Sequence, residues 1–219
     1  MALFKDRYDA GRKLSTALQT YRADDAIVLA LPRGGVPVAY EVSKNLNIPM
    51  DIFIVRKIGV PEQEELAMGA IASGGVRVLN QNVIKILNIP DDVIEDAALK
   101  ERDELNRREK IYRNNRSFPS VVNKTAILID DGLATGASMR AAVKALRNLH
   151  PAKIVVAVPT ASEDTCNEFK SEVDQVICVY TPAVFRGVGE WYDNFSQTTD
   201  EEVLDLMDEI YRTKTEDKK

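Results

Sequence analysis

The chain has 219 residues, 45% of them hydrophobic and 29% charged, and its formal net charge is −5. That is long enough for one well-buried core, short for two full domains, and too apolar for general disorder. The acidic balance leaves no electrostatic footprint for non-specific nucleic-acid binding, and no apolar run approaches the length needed to span a membrane.

Residues 1–11 carry Lys5, Asp6, Arg7 and Asp9 in place of an apolar leader, so a cytoplasmic protein is expected. The two cysteines, Cys166 and Cys178, fall on a predicted helix and a predicted strand without metal-ligand spacing, and they read as buried or half-buried thiols. The single histidine, His150, stands before Pro151 just past a helix end and reads as a turn residue. Ser-His-Asp catalysis and multi-histidine metal sites therefore lack their parts.

In chain order, residues 4–21 place Phe4, Tyr8, Gly11, Leu14 and Leu18 at helical intervals, as a packing helix does. Residues 26–31 (AIVLAL) form a buried-strand run, followed by Pro32-Arg33-Gly34-Gly35 and a new helical period from Val36. The glycines admit a ligand close to the backbone, and Arg33 offers paired donors suited to phosphate oxygens; a tight turn with a solvated arginine is the plainer alternative. Residues 50–55 predict a third strand ending at Arg56-Lys57, and 58–66, with Gly59 and Pro61, a loop. Residues 68–72 and 76–79 flank Ser73-Gly74-Gly75 as a hairpin. Residues 91–115 predict a helix opened by acids and closed by bases. Its Arg107, Arg108, Arg113 and Arg116 alternate with Glu101, Asp103, Glu104 and Glu109, which reads as a salt-laced solvent face and not as a nucleic-acid site.

Residues 125–142, TAILIDDGLATGASMRAA, are the most informative stretch. A short apolar strand ends in Asp130 and Asp131, then passes through Gly132 and the small residues Ala134, Thr135, Gly136, Ala137 and Ser138 into a helix reaching about 149. Small residues at a helix start gather unhindered backbone N–H groups where the helix dipole favours an anion, so the loop reads as a phosphate seat. Two carboxylates repel a phosphate but suit hydroxyl groups on whatever carries it, and phosphate beside a diol means a phosphorylated ribose. Asp131-Gly132 is also a hairpin signal, but Met139, Ala142, Val143 and Leu146 keep helical spacing. A nucleoside-triphosphate P-loop is excluded, since no lysine precedes Ser138 and Gly132 and Gly136 stand too close together.

Residues 153–158 and 173–180 predict further strands, with a helix over 162–172 that turns Phe169 inward. Residues 181–199 cluster Phe185, Trp191, Tyr192 and Phe195 with two glycines, which fits either stacking on a planar base or a small satellite core. An amphipathic helix over 200–211 and a frayed polar tail over 213–219 close the chain. Strands alternating with helices predict an α/β fold, a mainly parallel twisted sheet with helices on both faces. The expected organisation is one domain over 1–219, with a hairpin/helix insertion at about 58–116 and a C-terminal hood at about 181–199.

The segment 126–138, AILIDDGLATGAS, resembles the ribose-phosphate signature of the type I phosphoribosyltransferases, and the flanking segments are similar to an uncharacterised branch of that superfamily along most of the chain. The resemblance implies Mg²⁺-dependent transfer of the ribose 5-phosphate group of phosphoribosyl diphosphate (PRPP) to a nitrogenous base with release of diphosphate, in nucleotide salvage or synthesis. It implies that Ala134–Ser138 seat the 5-phosphate, that Asp130 and Asp131 grip the ribose hydroxyls, and that Pro32–Gly35 form the diphosphate loop with a cis Pro32–Arg33 peptide. Arg33 and Lys57, with Mg²⁺ carried mainly by the substrate, then take the charge on the leaving group, and no metal site made by the protein alone is expected. Arg56 and Lys57 read almost equally well as solvated charges. Phe185, Trp191 and Tyr192 of the hood are the implied contacts to a base or nucleoside monophosphate.

One departure stands out: hypoxanthine-guanine enzymes carry an acid just before the Thr-Gly pair, where this chain has Ala134. The acceptor of the base's proton is thus unassigned, with Glu190 and Asp193 as substitutes. A non-catalytic regulator binding PRPP or a nucleotide keeps the same seat, and a hydrolase of a phosphorylated sugar is a third reading. The hairpin at Gly74 and the long charged helix are candidate surfaces for a homo-oligomer.

Overall fold

The computed structural model describes the backbone of residues 2–216 and the side chains of all of these except 64, 65 and 213–216. The first half holds α1 (Arg7–Ala17), β1 (Ala26–Ala30), α2 (Gly35–Leu46), β2 (Met50–Ile52), β3 (Val55–Val60), β4 (Gln63–Ala72), β5 (Val76–Leu79), α3 (Gln81–Ile86) and α4 (Asp91–Arg113). The second holds β6 (Thr125–Ile129), α5 (Ala137–Arg147), β7 (Lys153–Thr160), α6 (Glu163–Phe169), β8 (Gln175–Tyr180) and α7 (Asp200–Glu216). The tail expected from 213 is helical to Glu216, and 217–219 lie outside the described residues. Among the described residues no helix is long and apolar enough to cross a membrane.

Five strands form a wholly parallel sheet in the order β2-β1-β6-β7-β8. Strand alternation sends Val28, Ala30, Ile127, Ile129, Val155 and Ala157 to one face, with apolar side chains of α1, α2 and α7. Ile27, Leu29, Ala126, Leu128, Ile154 and Val156 go to the other, with side chains of α5 and α6. Burial on both faces is why these strands read as unbroken apolar runs. From β1 the chain moves outward to β2, and from β6 it moves the other way to β7 and β8. The order therefore reverses between β1 and β6, and the region beyond the C-terminal ends of these two strands is the place where open α/β sheets bind ligands.

The insertion differs from expectation in two ways. Residues 58–66 are not a loop: β3, β4 and β5 make an antiparallel sheet, with a register shift at Gly59 and the first hairpin turning at Pro61-Glu62. Ile58, Val60, Met68 and Ile71 are buried in one cluster with Ile94, Ala98 and Leu105 of α4, so a long-range partner decides in favour of strand. The strand predicted over 50–55 is likewise divided, with Phe53 and Ile54 buried between the two sheets. The hairpin at 73–75 is as expected, but Gly74 faces Leu149 and Phe118 of its own chain.

Two more expectations are corrected. Arg113 is not on a solvent face; its side chain is 1% exposed, and it joins α4 to β2 through Asp51 at 2.8 Å. The cysteines are not thiols: Cys166 of α6 and Cys178 of β8 are joined as a disulfide. Residues twelve apart in sequence meet because α6 packs back beside β8, which no local pattern reports. His150 does occupy a turn, at φ 54°.

Candidate functional site

The loop after β6 is held by hydrogen bonds with β7, α6 and α5. Leu133 N–H donates to the Thr160 carbonyl at 2.9 Å, Thr165 Oγ1 to the Ala134 carbonyl at 3.1 Å, and Arg140 Nη1 to the Thr135 carbonyl at 2.7 Å. Arg140 is itself fixed by Glu172 at 2.7 Å and lies over the Phe169 ring. Gly136 is the N-cap residue of α5, at φ 69°, and no side chain caps the helix. The Ala137 N–H meets Thr135 Oγ1 only at a long 3.4 Å while Ala134 to Ser138 are braced around the start of α5, the arrangement a phosphate needs. Gly136 is required twice over, by its left-handed φ and by Phe169, which a Cβ would meet at 2.5 Å. Gly136→Ala is expected to cost about 1–3 kcal/mol and to weaken ribose 5-phosphate binding roughly tenfold in calorimetry. Gly75→Ala, also at positive φ but with nothing within 4 Å, should lower the melting temperature slightly and leave binding alone.

The two carboxylates lie against the loop after β1. A Cβ on Gly34 would stand 2.1 Å from Asp131 Oδ2, and one on Gly35 would stand 2.6 Å from the Ile129 carbonyl oxygen and 2.9 Å from Asp130 Cα. Only glycine lets the loops approach so closely. Asp130 Oδ1 accepts from the Asp131 N–H at 2.9 Å. Burial, then the neighbouring Asp131 charge, hold the Asp130 carboxyl well above the usual carboxylate range. Burial raises Asp131 too, opposed by Arg7, whose Nε donates to Asp131 Oδ2 at 2.8 Å. Arg7 also donates to the Ser196 carbonyl at 2.6 Å and stacks on Phe195 at 4.0 Å. Nothing in the sequence singles out Arg7, because a cation beside a helix start carries no signal that its partner lies 124 residues away.

The Pro32–Arg33 peptide is cis, as the resemblance implied. Arg33 opens onto a cavity of about 330 Å³ lined by Pro32, Arg107, Arg108, Tyr112 and Asp200. Lys57 is not among them. It lines a separate cavity of about 550 Å³ with Ala137, Arg140 and Lys144, while Arg56 is tied to Glu101 of α4 at 2.7 Å. Lys57 also borders a cavity of about 700 Å³ with Asp96, Lys100 and Glu101 of α4, so it lies between α5 and α4 and outside the recess that Arg33 shares with Arg107 and Arg108.

In the hood, Tyr192 is buried with Phe4 and Ala10, with Trp191 and Val188 packed on them, so these aromatics build a satellite core. Tyr192 donates to the Asp131 carbonyl at 2.6 Å, and burial, then the Asp131 charge, raise its hydroxyl pKa. Val188 covers Gly132, where a Cβ would stand 2.5 Å from Cγ1. Trp191 Nε1 and Thr160 Oγ1 are buried without a hydrogen-bond partner. Phe185 lies outside the satellite core and is half-buried. Among the described residues no group of three His, Cys, Asp or Glu side chains is placed to hold a metal.

The family model described as phosphoribosyl transferase domain matches residues 6–185. Proteins from two Mycobacterium tuberculosis strains, CDC 1551 / Oshkosh and H37Rv, whose names assign them to the phosphoribosyl transferases, are each 43% identical over 212 residues. That overlap is 97% of this chain and 48% of theirs, so the chain spans about half the length of these curated relatives. A crystal structure of a Thermus thermophilus protein is similar over 95% of this chain and 99% of its own, at 38% identity and a TM-score of 0.84.

Proposed function

Because the chain belongs to the phosphoribosyl transferase domain family, we propose that it moves the ribose 5-phosphate group of PRPP onto a nitrogenous base and releases diphosphate. The observation that carries this reading is the contact of the two loops at the switch point. Asp130 and Asp131 lie directly against Gly34 and Gly35, with the uncapped start of α5 on one side and Arg33 on the other. A ligand spanning these loops has phosphate at one end, hydroxyls in the middle and a second anionic group at the far end.

In the reaction the bond from the sugar's anomeric carbon to diphosphate oxygen breaks, one forms to the base nitrogen, and the base loses a proton. The anomeric carbon gains positive charge as the diphosphate gains negative charge. Asp130 and Asp131, ionised with ligand bound, offset the first, and Arg33 the second. Mg²⁺ is characteristically held by one or two carboxylates together with substrate phosphates, and the Asp130–Asp131 pair fits that mode. Bound with PRPP, the ion supplies further positive charge to the leaving group. Phe185, half-buried outside the satellite core, is the hood side chain assigned to the base, and a cytoplasmic site of action goes with this substrate.

The test is diphosphate release from PRPP and Mg²⁺ over a panel of purine and pyrimidine bases. Release that depends on one base supports the transferase. Equal release in water alone marks a hydrolase, and tight PRPP binding without turnover a regulator.

A further inference from the structure

Three guanidinium groups, of Arg33, Arg107 and Arg108, line one cavity of about 330 Å³, together with Tyr112 and Asp200. Only Arg33 belongs to the loop after β1; the others come from α4 of the insertion. Like charges gathered in a recess repel one another unless anions accompany them. Two carboxylates do so. Glu104 accepts from Arg107 Nε at 2.7 Å and Nη2 at 3.0 Å, and from Arg108 Nε at 2.7 Å. Asp200, at the start of α7, meets Arg33 Nη1 at 3.5 Å and accepts from the Tyr112 hydroxyl.

The two carboxylates differ in kind. Glu104 sits three and four residues before its partners on the same helix, so it fixes both side chains and reduces the entropy they lose on binding a ligand. Asp200 comes from another element, is more than half exposed, and stands from Arg33 at a distance long for a charge-assisted hydrogen bond. Three cations against two carboxylates leave a net positive recess beside the cis peptide, and Arg108 makes its one described hydrogen bond through Nε. A group with two linked phosphates matches that surplus and the spread of three planar donors.

We propose that Arg107 and Arg108 act with Arg33 to bind the diphosphate group of PRPP, and that Asp200 is a displaceable counter-ion holding Arg33 until the diphosphate arrives. This rests on the reading of the two loops as a PRPP site and assigns the leaving-group cations to α4 in place of Lys57. It makes the insertion part of the substrate site.

The experiment compares the wild-type chain with R107Q/R108Q and D200N by calorimetry, using inorganic diphosphate, PRPP and ribose 5-phosphate as separate probes with Mg²⁺ present. Losing the two arginines should weaken diphosphate and PRPP by about 30- to 300-fold, as expected for charge-assisted contacts, and leave ribose 5-phosphate within about twofold. D200N should tighten diphosphate by roughly three- to tenfold, since an anion no longer competes for Arg33. All three substituted side chains are at least a third exposed, and a thermal melt confirms folding. Undiminished diphosphate binding in R107Q/R108Q overturns the assignment and leaves the PRPP reading standing. Weaker diphosphate binding in D200N makes Asp200 an anchor and overturns its part. Wild-type protein that takes ribose 5-phosphate and refuses both diphosphate ligands overturns this inference and the transferase reading together.

Discussion

Asp130→Asn and Asp131→Asn are expected to lower PRPP affinity alike and to move the melting temperature of the free protein in opposite directions. Each carboxylate is assigned a hydroxyl of the ribose, and a hydrogen bond to a charged group contributes about 1.5–3 kcal/mol. One substitution thus weakens binding roughly 10- to 100-fold and the pair about a thousandfold or more, with a further loss in turnover from the missing negative charge beside a cationic sugar. Stability separates the two. Asp130 accepts from the Asp131 N–H, and its carboxyl is pushed far up by burial and by the Asp131 charge, with Arg7 opposing only from a distance. A carboxyl whose folded pKa is raised adds no penalty below its unfolded pKa, where both states are protonated. It subtracts from stability as pH rises through the folded value, and fully above it. Asp130→Asn should therefore raise the melting temperature at neutral and alkaline pH, with the gain vanishing as pH falls to the unfolded carboxylate range. Asp131→Asn also relieves a buried carboxylate, but it strips Arg7, 10% exposed at its side chain, of its charged partner, and because breaking one side of a buried pair costs about 3–5 kcal/mol it should lower the melting temperature. Melts from acid to alkaline pH, beside PRPP titrations, decide the matter; two shifts of the same sign would sink the account.

The difference between these neighbours also marks how far sequence alone reaches. The strand, acid pair, small-residue loop and helix of 125–142 lie next to one another in the chain, so residue type and period report them directly. The same holds for Pro32–Gly35, whereas its cis peptide is expected from the family resemblance alone. What brings the two loops together is the reversal of strand order between β1 and β6, and the absence of side chains at Gly34 and Gly35 gives the sequence-level hint of it. Arg7 is invisible in the sequence because it acts across 124 positions. Arg107 and Arg108 read as a solvated face because their i to i+4 neighbours are acids, which is true of Glu104 and silent about Arg33. Lys57 lies on a strand of the second sheet, whose direction follows from packing under α4 that periodicity cannot supply. Cys166 and Cys178 show the same limit: their types are legible and their meeting is not.

The insertion's hold on the sheet should fail at Arg113. Its Nε donates to Asp51 Oδ1 at 2.8 Å, Nη1 to Glu109 at 2.5 Å, and Nη2 to the Ile52 carbonyl at 2.7 Å and to Ser73 Oγ at 3.2 Å. Ser73 in turn accepts from the Ile54 N–H at 2.9 Å, so one guanidinium joins α4, β2 and the turn between β4 and β5. Arg113→Met keeps much of the volume and removes every donor. Asp51, 3% exposed, then keeps Tyr211 and its neighbour's N–H but loses the guanidinium. Breaking one side of a buried pair costs about 3–5 kcal/mol, more than the pair adds over apolar replacements. Urea unfolding should show a loss of that size for R113M, and R113M/D51N should recover a large part, because the stranded charge goes with its partner. A double variant as unstable as R113M alone would mean that packing, and not the buried carboxylate, sets the cost. Since the same helix carries Arg107 and Arg108, R113M should also weaken diphosphate more than ribose 5-phosphate at temperatures where the sheet is still folded, which ties the anchor of the insertion to its place in the site.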